Sequence, residues 1–265
     1  TVGAHFTSGG SEANLTAVVS ALASQIDGFV ERGLAGADLQ PTVYLSAAGH
    51  DSFVKICRMT GLGHGSLRRV EVDGAFRMDV SALRRRLRDD TDAGCQPVLV
   101  AATAGTTAAG AIDPLEDVRS VCDEFGAWLH VDAAWGGSAV LVPRLRGHLQ
   151  GIERADSVTW DAHKWLNTTM GAGMYFCRDR STLTDVFGLF ADYMPDPSSE
   201  SADPFTSSVQ WSRRFIGLRL FVTLAALGEE GLIGALGRQA ELGDLMKQRL
   251  RDAGWIEVSD TLAAV

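Results

Sequence analysis

The chain has 265 residues, 46% of them hydrophobic, and a formal net charge of −9. That composition supplies a substantial core and excludes a disordered or low-complexity polymer. The basic residues are dispersed, and the densest cluster, Arg84-Arg85-Arg86 through Arg88, runs straight into Asp89 and Asp90, so no nucleic-acid partner is expected.

The first motif is Thr7-Ser8-Gly9-Gly10-Ser11-Glu12-Ala13-Asn14, followed by the apolar run Leu15 to Ala23. It reads as a Gly-rich turn opening a helix over Glu12 to Val30, with Ser8 or Ser11 as its N-cap. The free N–H groups and positive dipole end of such a helix suit a phosphate, and the Ser11 hydroxyl adds a donor. No Gly-Lys-Ser/Thr follows the glycines, which excludes a nucleoside-triphosphate loop. A strand over Thr42 to Ser46 then leads to Ala48-Gly49-His50-Asp51-Ser52 and a helix over Ser52 to Thr60. His50, at a strand end, suits either an ordinary loop position or the flat face of an aromatic ligand.

A strand over Leu67 to Val72 and a helix over Val80 to Arg88 come next, and the arginine cluster lies on the helix's solvated face. Val98 to Thr103 reads as a buried strand that runs into the small-residue turn Ala104-Gly105-Thr106-Thr107. A helix over Pro114 to Phe125 follows, with Asp113 as its cap and Pro114 at its first position. Trp128 to Asp132 is an apolar strand ending in a carboxylate. Ser157 to Trp160 is a short strand, Asp161-Ala162-His163-Lys164-Trp165 a turn, and Gly173 to Cys177 the next strand, returning beside that turn. Residues 194–204, rich in proline, serine and acid, read as a long loop. Val209 to Phe215 then leads into an apolar helix over Leu218 to Leu227.

Alternating strands and helices predict an α/β fold, a mostly parallel sheet flanked by helices on both faces. Ligands of such sheets sit at the strand C-terminal ends, where Ser11, His50, Thr106, Asp132 and Lys164 fall. An aspartate at one strand end and a His-Lys pair at another match the needs of pyridoxal 5′-phosphate. A lysine amine condenses with its aldehyde, and a carboxylate keeps the ring nitrogen protonated so that the ring accepts electrons.

In order, these motifs resemble the group II pyridoxal-phosphate-dependent amino-acid decarboxylases, the family of the aromatic amino-acid and glutamate decarboxylases, over about residues 4–235. The resemblance implies the large domain of the fold-type-I transferase-like architecture over residues 1–235, and the start of a smaller C-terminal domain over residues 236–265. It implies that Lys164 is the Schiff-base lysine and that Asp132 pairs with the pyridine nitrogen. Ala134 would pack under the ring and His50 would stack on its other face. Gly10 and Ser11 would bind phosphate, His163 would lie near phosphate and substrate, and Thr106 would place a hydroxyl near a cofactor oxygen. His130 reads as structural.

The implied reaction is decarboxylation of an L-amino acid, with the site in a homodimer. The family's loop tyrosine, a proton donor, is not found at its usual place, where Pro204 and Phe205 stand; Tyr193 lies some ten residues earlier. Aldehyde synthesis, another fate of the carbanion, or a non-catalytic subunit therefore stay open. Arg213 and Arg214 suit either a phosphate or acidic substrate, or a structural role in salt bridges at a helix start or a dimer contact.

Cys57, Cys95, Cys122 and Cys177 are scattered, so no metal site is expected and a reducing cytoplasm is. No apolar run reaches the ~20 residues of a membrane span, so no membrane partner is expected. No secretory leader is read, and because the first residue is Thr1 the chain is expected to be a segment of something longer.

Overall fold

The structure is a computed structural model that describes residues 1–38, 40–189 and 203–257. Its frame is one seven-stranded sheet in the order β1-β7-β6-β5-β4-β2-β3. The strands are β1 (Gly3–Thr7), β2 (Gln40–Ser46), β3 (Leu67–Val70), β4 (Cys95–Thr103), β5 (Trp128–Asp132), β6 (Ser157–Asp161) and β7 (Gly173–Cys177). Only β7 runs against the others, pairing antiparallel with both β6 and β1. The predicted mostly parallel sheet is therefore observed, and the predicted strands are all present.

The helices are α1 (Gly10–Gln25), the single turn α2 (Phe29–Arg32), α3 (Ser52–Met59), α4 (Val80–Asp92), α5 (Leu115–Phe125), α6 (Arg180–Phe187) and α7 (Gly217–Asp252). They cover both faces, because β4 and β5 are apolar on both. Leu99 and Ala101 face the layer of α1, α3 and α6, among Ala17, Phe53 and Leu183. Val100 and Ala102 face the opposite layer, among Leu83 and Leu87 of α4 and Val118 and Val121 of α5. Each fully buried leucine contributes about 1.5–3 kcal/mol.

Some local expectations need correction. β1 was not predicted, since Gly-Ala-His-Phe-Thr carries little alternation; its register comes from β7, with Gly3 opposite Cys177 and Thr7 opposite Gly173. The expected helix over Glu12 to Val30 is interrupted between Gln25 and Phe29, where Gly28 takes a left-handed φ of 71°. Neither Ser8 nor Ser11 caps α1. Gly9 holds that position without a side-chain cap, and Ser8 instead bonds Glu12 through both its N–H and its hydroxyl.

Asp113 likewise caps nothing. Its buried carboxylate accepts the Met78 N–H and the Thr103 N–H, both at 2.7 Å, and so ties the end of β4 to the segment before α4. Burial outweighs those two bonds and pushes its pKa up to about 6.

Helix α7 is longer than predicted. It is broken at Gly228 (φ 65°, ψ 175°), and residue 236, the expected start of a second domain, lies within its second segment. Leu232, Leu236 and Ala240 of that segment pack into the same core cluster as Leu129 and Val131 of β5. Contrary to the sequence expectation, α7 is by length and composition apolar enough to cross a membrane. The Gly228 break, the adjacent Glu229 and Glu230, and the core contacts of Leu236 instead match a packing helix.

Removing the Asp113 carboxylate strands two buried N–H groups. Asp113→Ala should lower unfolding stability by at least about 2 kcal/mol in urea denaturation.

Candidate active site

The C-terminal ends of β4, β5 and β6 and the start of α1 surround a cavity of about 600 Å³. Gly10, Ser11, His50, Thr106, Asp132, Ala134, His163 and Lys164 all line it. Residues up to 154 positions apart in the chain thus meet in one place because parallel strands deliver their ends to one edge.

At the start of α1, the Ser11 N–H and hydroxyl have no partner among the described residues, as an anion site requires. Gly10 is required by space: a Cβ there would lie 2.9 Å from Asp161 Oδ2. Asp132, nearly buried, accepts the Asn14 amide N–H at 2.8 Å and the Ala134 N–H at 3.1 Å. Asn14 Oδ1 in turn accepts the Thr159 hydroxyl at 2.8 Å and lies 3.1 Å from His130 Nε2.

These contacts assign the proton on His130. The carboxylate of Asp132 only accepts, so the Asn14 amide nitrogen points at it and the Asn14 oxygen faces His130. Nε2 of His130 therefore carries the hydrogen, and Nδ1, 2.8 Å from Ser157 Oγ, accepts. Ser157 is free to donate because it accepts the Trp128 indole N–H at 2.8 Å. Burial lowers the His130 pKa to about 4, in keeping with a neutral ring. His130 does not line the cavity, and the structural reading of this residue matches its place.

Lys164 sits in the turn after β6, its Nζ 3.4 Å from Asp161 Oδ2. His163 directs Nε2 toward the same oxygen at 3.6 Å, and its Nδ1 accepts the Ala172 N–H. The His50 ring is oriented by the Ser52 N–H, which donates to Nδ1 at 3.2 Å. Thr106 Oγ1 accepts the Ala111 N–H within its own turn, which leaves the hydroxyl hydrogen to donate. Arg213 takes no part in the cavity: it donates to the Phe6 carbonyl at 2.7 Å.

Asn14, Asp161, Thr103 and Trp135 also line the cavity but were given no role from sequence. Asn14 had a readable signal, a polar side chain one turn into an apolar helix. Asp161 had another, a carboxylate at a strand end three residues before a lysine. Trp135 stacks on Trp165 at 5.9 Å, a contact no local pattern announces.

This donor set fits pyridoxal phosphate: an amine, a fixed carboxylate and an open helix start share one cavity. The sequence matches the pyridoxal-dependent decarboxylase conserved domain over residues 2–262. The chain belongs to that family. Pyridoxal 5′-phosphate is the family's cofactor, and Lys164, Asp132, Gly10 and Ser11 line one cavity. The chain is 33% identical over 226 residues to the aromatic-L-amino-acid decarboxylase of Bacillus atrophaeus, covering 84% of this chain and 45% of that protein. It is 34% identical over 250 residues to acidic amino acid decarboxylase GADL1 of Bos taurus, covering 93% and 48%. The fold superposes on Oryza sativa TDC solved with PLP and tryptamine at a TM-score of 0.88, with 32% identity over 95% of this chain and 52% of that one. Mouse CSAD in its apo form gives 0.87 at 33% identity, covering 96% and 52%. The chain thus spans about half the length of the proteins it matches.

Two outcomes follow from the network behind Asp132. Asn14→Ala leaves Asp132 and His130 short of partners. It should cost about 1–3 kcal/mol in thermal or urea unfolding and weaken cofactor retention measured by absorbance. His130, whose pKa falls from 6.5 unfolded to about 4 folded, contributes stability that is complete above pH 6.5 and lost as pH falls toward 4. Urea titrations stepped through that window should show the loss, and His130→Asn should reduce it, leaving the share of buried His5, whose pKa is likewise lowered to about 4.

Proposed function

We propose that the full-length protein removes the carboxylate of an L-amino acid as carbon dioxide and releases the amine, using pyridoxal 5′-phosphate. The observation that carries this reading is the convergence of Lys164, Asp132 and the start of α1 on one cavity. When bound, the cofactor supplies the electron sink for the bond that breaks at the substrate Cα.

The chain's own residues do the rest. Lys164 offers the amine that anchors the cofactor, and proton exchange with Asp161 is within its reach. Asp132, held as an acceptor by Asn14 and Ala134, favours a protonated ring nitrogen through a charge-assisted hydrogen bond. The Ser11 N–H and hydroxyl bind phosphate. His50, at the exposed rim, presents an oriented ring face, and Ala134 keeps the opposite wall close. Names of relatives with 33–34% identity, aromatic and acidic amino-acid decarboxylases, support the reaction and leave the side-chain class of the substrate open.

A second reading, conversion of the amino acid to an aldehyde, is favoured by one observation. Phe205 stands where the family's loop tyrosine is expected, and its ring stacks on Trp211 at 5.2 Å. Tyr193 lies outside the described residues. We further propose a homodimer, supported by the exposed apolar residues Phe221, Val222, Leu224 and Leu227 on α7. A cytoplasmic location fits the four free thiols.

Incubating the full-length protein with pyridoxal phosphate and pooled L-amino acids, then scoring products by mass spectrometry, tests the reaction. Amine supports the first reading and aldehyde the second; bound cofactor with no product points to a non-catalytic subunit. Borohydride reduction should fix a pyridoxyl group on the peptide holding Lys164, and a label elsewhere would overturn the anchor. Asp132→Asn should retain cofactor yet lose most turnover; turnover equal to the wild type would give the ring nitrogen another partner.

A further inference from the structure

Asp161 lines the cavity, and the reading above gives its carboxylate no role in binding or orienting the cofactor. It ends β6 with a side chain only 1% exposed. Oδ2 accepts the Gly10 N–H at 3.1 Å, at the positive end of α1. Lys164 Nζ and His163 Nε2 lie 3.4 Å and 3.6 Å from that oxygen. Oδ1 is buried with no hydrogen-bond partner among the described residues. An ionised carboxylate leaves such an oxygen unsatisfied, whereas a protonated acid gives it a hydrogen to donate.

The phosphate of the cofactor is assigned to the same helix start. It brings a second anion to the end of a helix that Asp161 already occupies through Gly10. The titratable groups facing Asp161 from its surroundings are Lys164 and His163 of the following turn and Asp132 of β5. Glu12 of α1 is held by Ser8 and Gln210. Burial raises the Asp161 pKa above the ordinary carboxylate range; Lys164 and His163 oppose that rise and Asp132 adds to it. A bound dianion acts in the same direction as burial.

We propose that Asp161 binds a proton as the cofactor binds and, as a neutral acid, donates a hydrogen bond to the phosphate group. This deepens the pyridoxal-phosphate reading and rests on it. The proton comes from solvent and forms an O–H bond on the carboxylate; no electrons are transferred. In the cofactor-free protein Asp161 is the anion that pairs with Lys164 and occupies the Gly10 N–H. The cofactor exchanges that anion for its own, and its affinity carries a proton linkage. Relative to Asp161→Asn, which is neutral at every pH, wild-type affinity should fall by up to about tenfold per pH unit on the alkaline side.

The test uses the full-length protein and pyridoxine 5′-phosphate, whose alcohol forms no bond with Lys164. Calorimetry in two buffers of different ionisation enthalpy, at about pH 8 where the phosphate is already a dianion, counts the protons taken up. Wild type should take up close to one proton more than Asp161→Asn. With pyridoxine, which has no phosphate, the two should be equal. Equal uptake with the phosphorylated ligand overturns the proposal.

A measurement on the wild type alone guards against a misfolded variant. Infrared difference spectra on adding pyridoxal phosphate should show a carboxylic-acid C=O band, and its absence overturns the proposal as well. A wild type that binds no cofactor brings down the family reading of the site and this inference together, whereas cofactor bound without the extra proton brings down this inference alone.

Discussion

The cavity depends on how Asp132 is held. Its carboxylate takes the Asn14 amide and the Ala134 N–H, and Asn14 can offer that amide only because its oxygen is claimed by Thr159 and His130. The chain of bonds continues through Ser157 to the Trp128 indole. Members of this network come from α1, β5 and β6, and Ser52 of α3 accepts from Asn14 at 3.1 Å. A buried network of this kind is costly when half satisfied and rigid when complete. Completing it requires helix and strands to be in register to a fraction of an ångström, so the fold and the orientation of one carboxylate are settled together.

The start of α1 carries a second constraint. Among the described residues the Ser11 N–H is left free there at the edge of the cavity, and the chain reaches that point along β1, the edge strand paired to β7. Gly173 of β7 is glycine because a Cβ would fall 2.4 Å from Thr7 Oγ1 and 2.7 Å from the Gly9 Cα. Gly10 leaves space for Asp161 in the same way. The antiparallel return of β7 is therefore what brings the anion-binding end of α1 alongside the lysine turn. Gly105, at φ 96°, sharpens the turn after β4 and lets Trp135 and Gly136 approach. Small residues at this edge are room for close backbone contacts as much as for a ligand.

Helix α7 shows how one segment serves two environments. Beyond the Gly228 break it buries Leu232, Leu236 and Ala240 against the core; before it, Phe221, Val222 and Leu227 lie on the surface. Hydropathy averaged over both parts looks like that of a membrane span, although the burial of the residues differs from one end to the other. Periodicity in the sequence reports that a helix is apolar and says nothing of which neighbour covers it.

Much of this protein was legible from sequence. Strand and helix alternation, the Gly-Gly-Ser turn, the Asp132 strand and the His163-Lys164 pair announced the α/β sheet and the residues that line its cavity, because each is a local signal. Backbone periodicity, turn chemistry and motif order are all carried by neighbours in the chain. Only the tertiary structure decided the partners of side chains: Asp113 bridging β4 to Met78 where a helix cap was expected, Asn14 as the holder of Asp132, the Nε2–H form of His130, and Asp161 seated on Gly10. Those contacts join residues up to 151 positions apart. Their geometry is set by how the sheet stacks its strand ends, which no stretch of sequence specifies by itself.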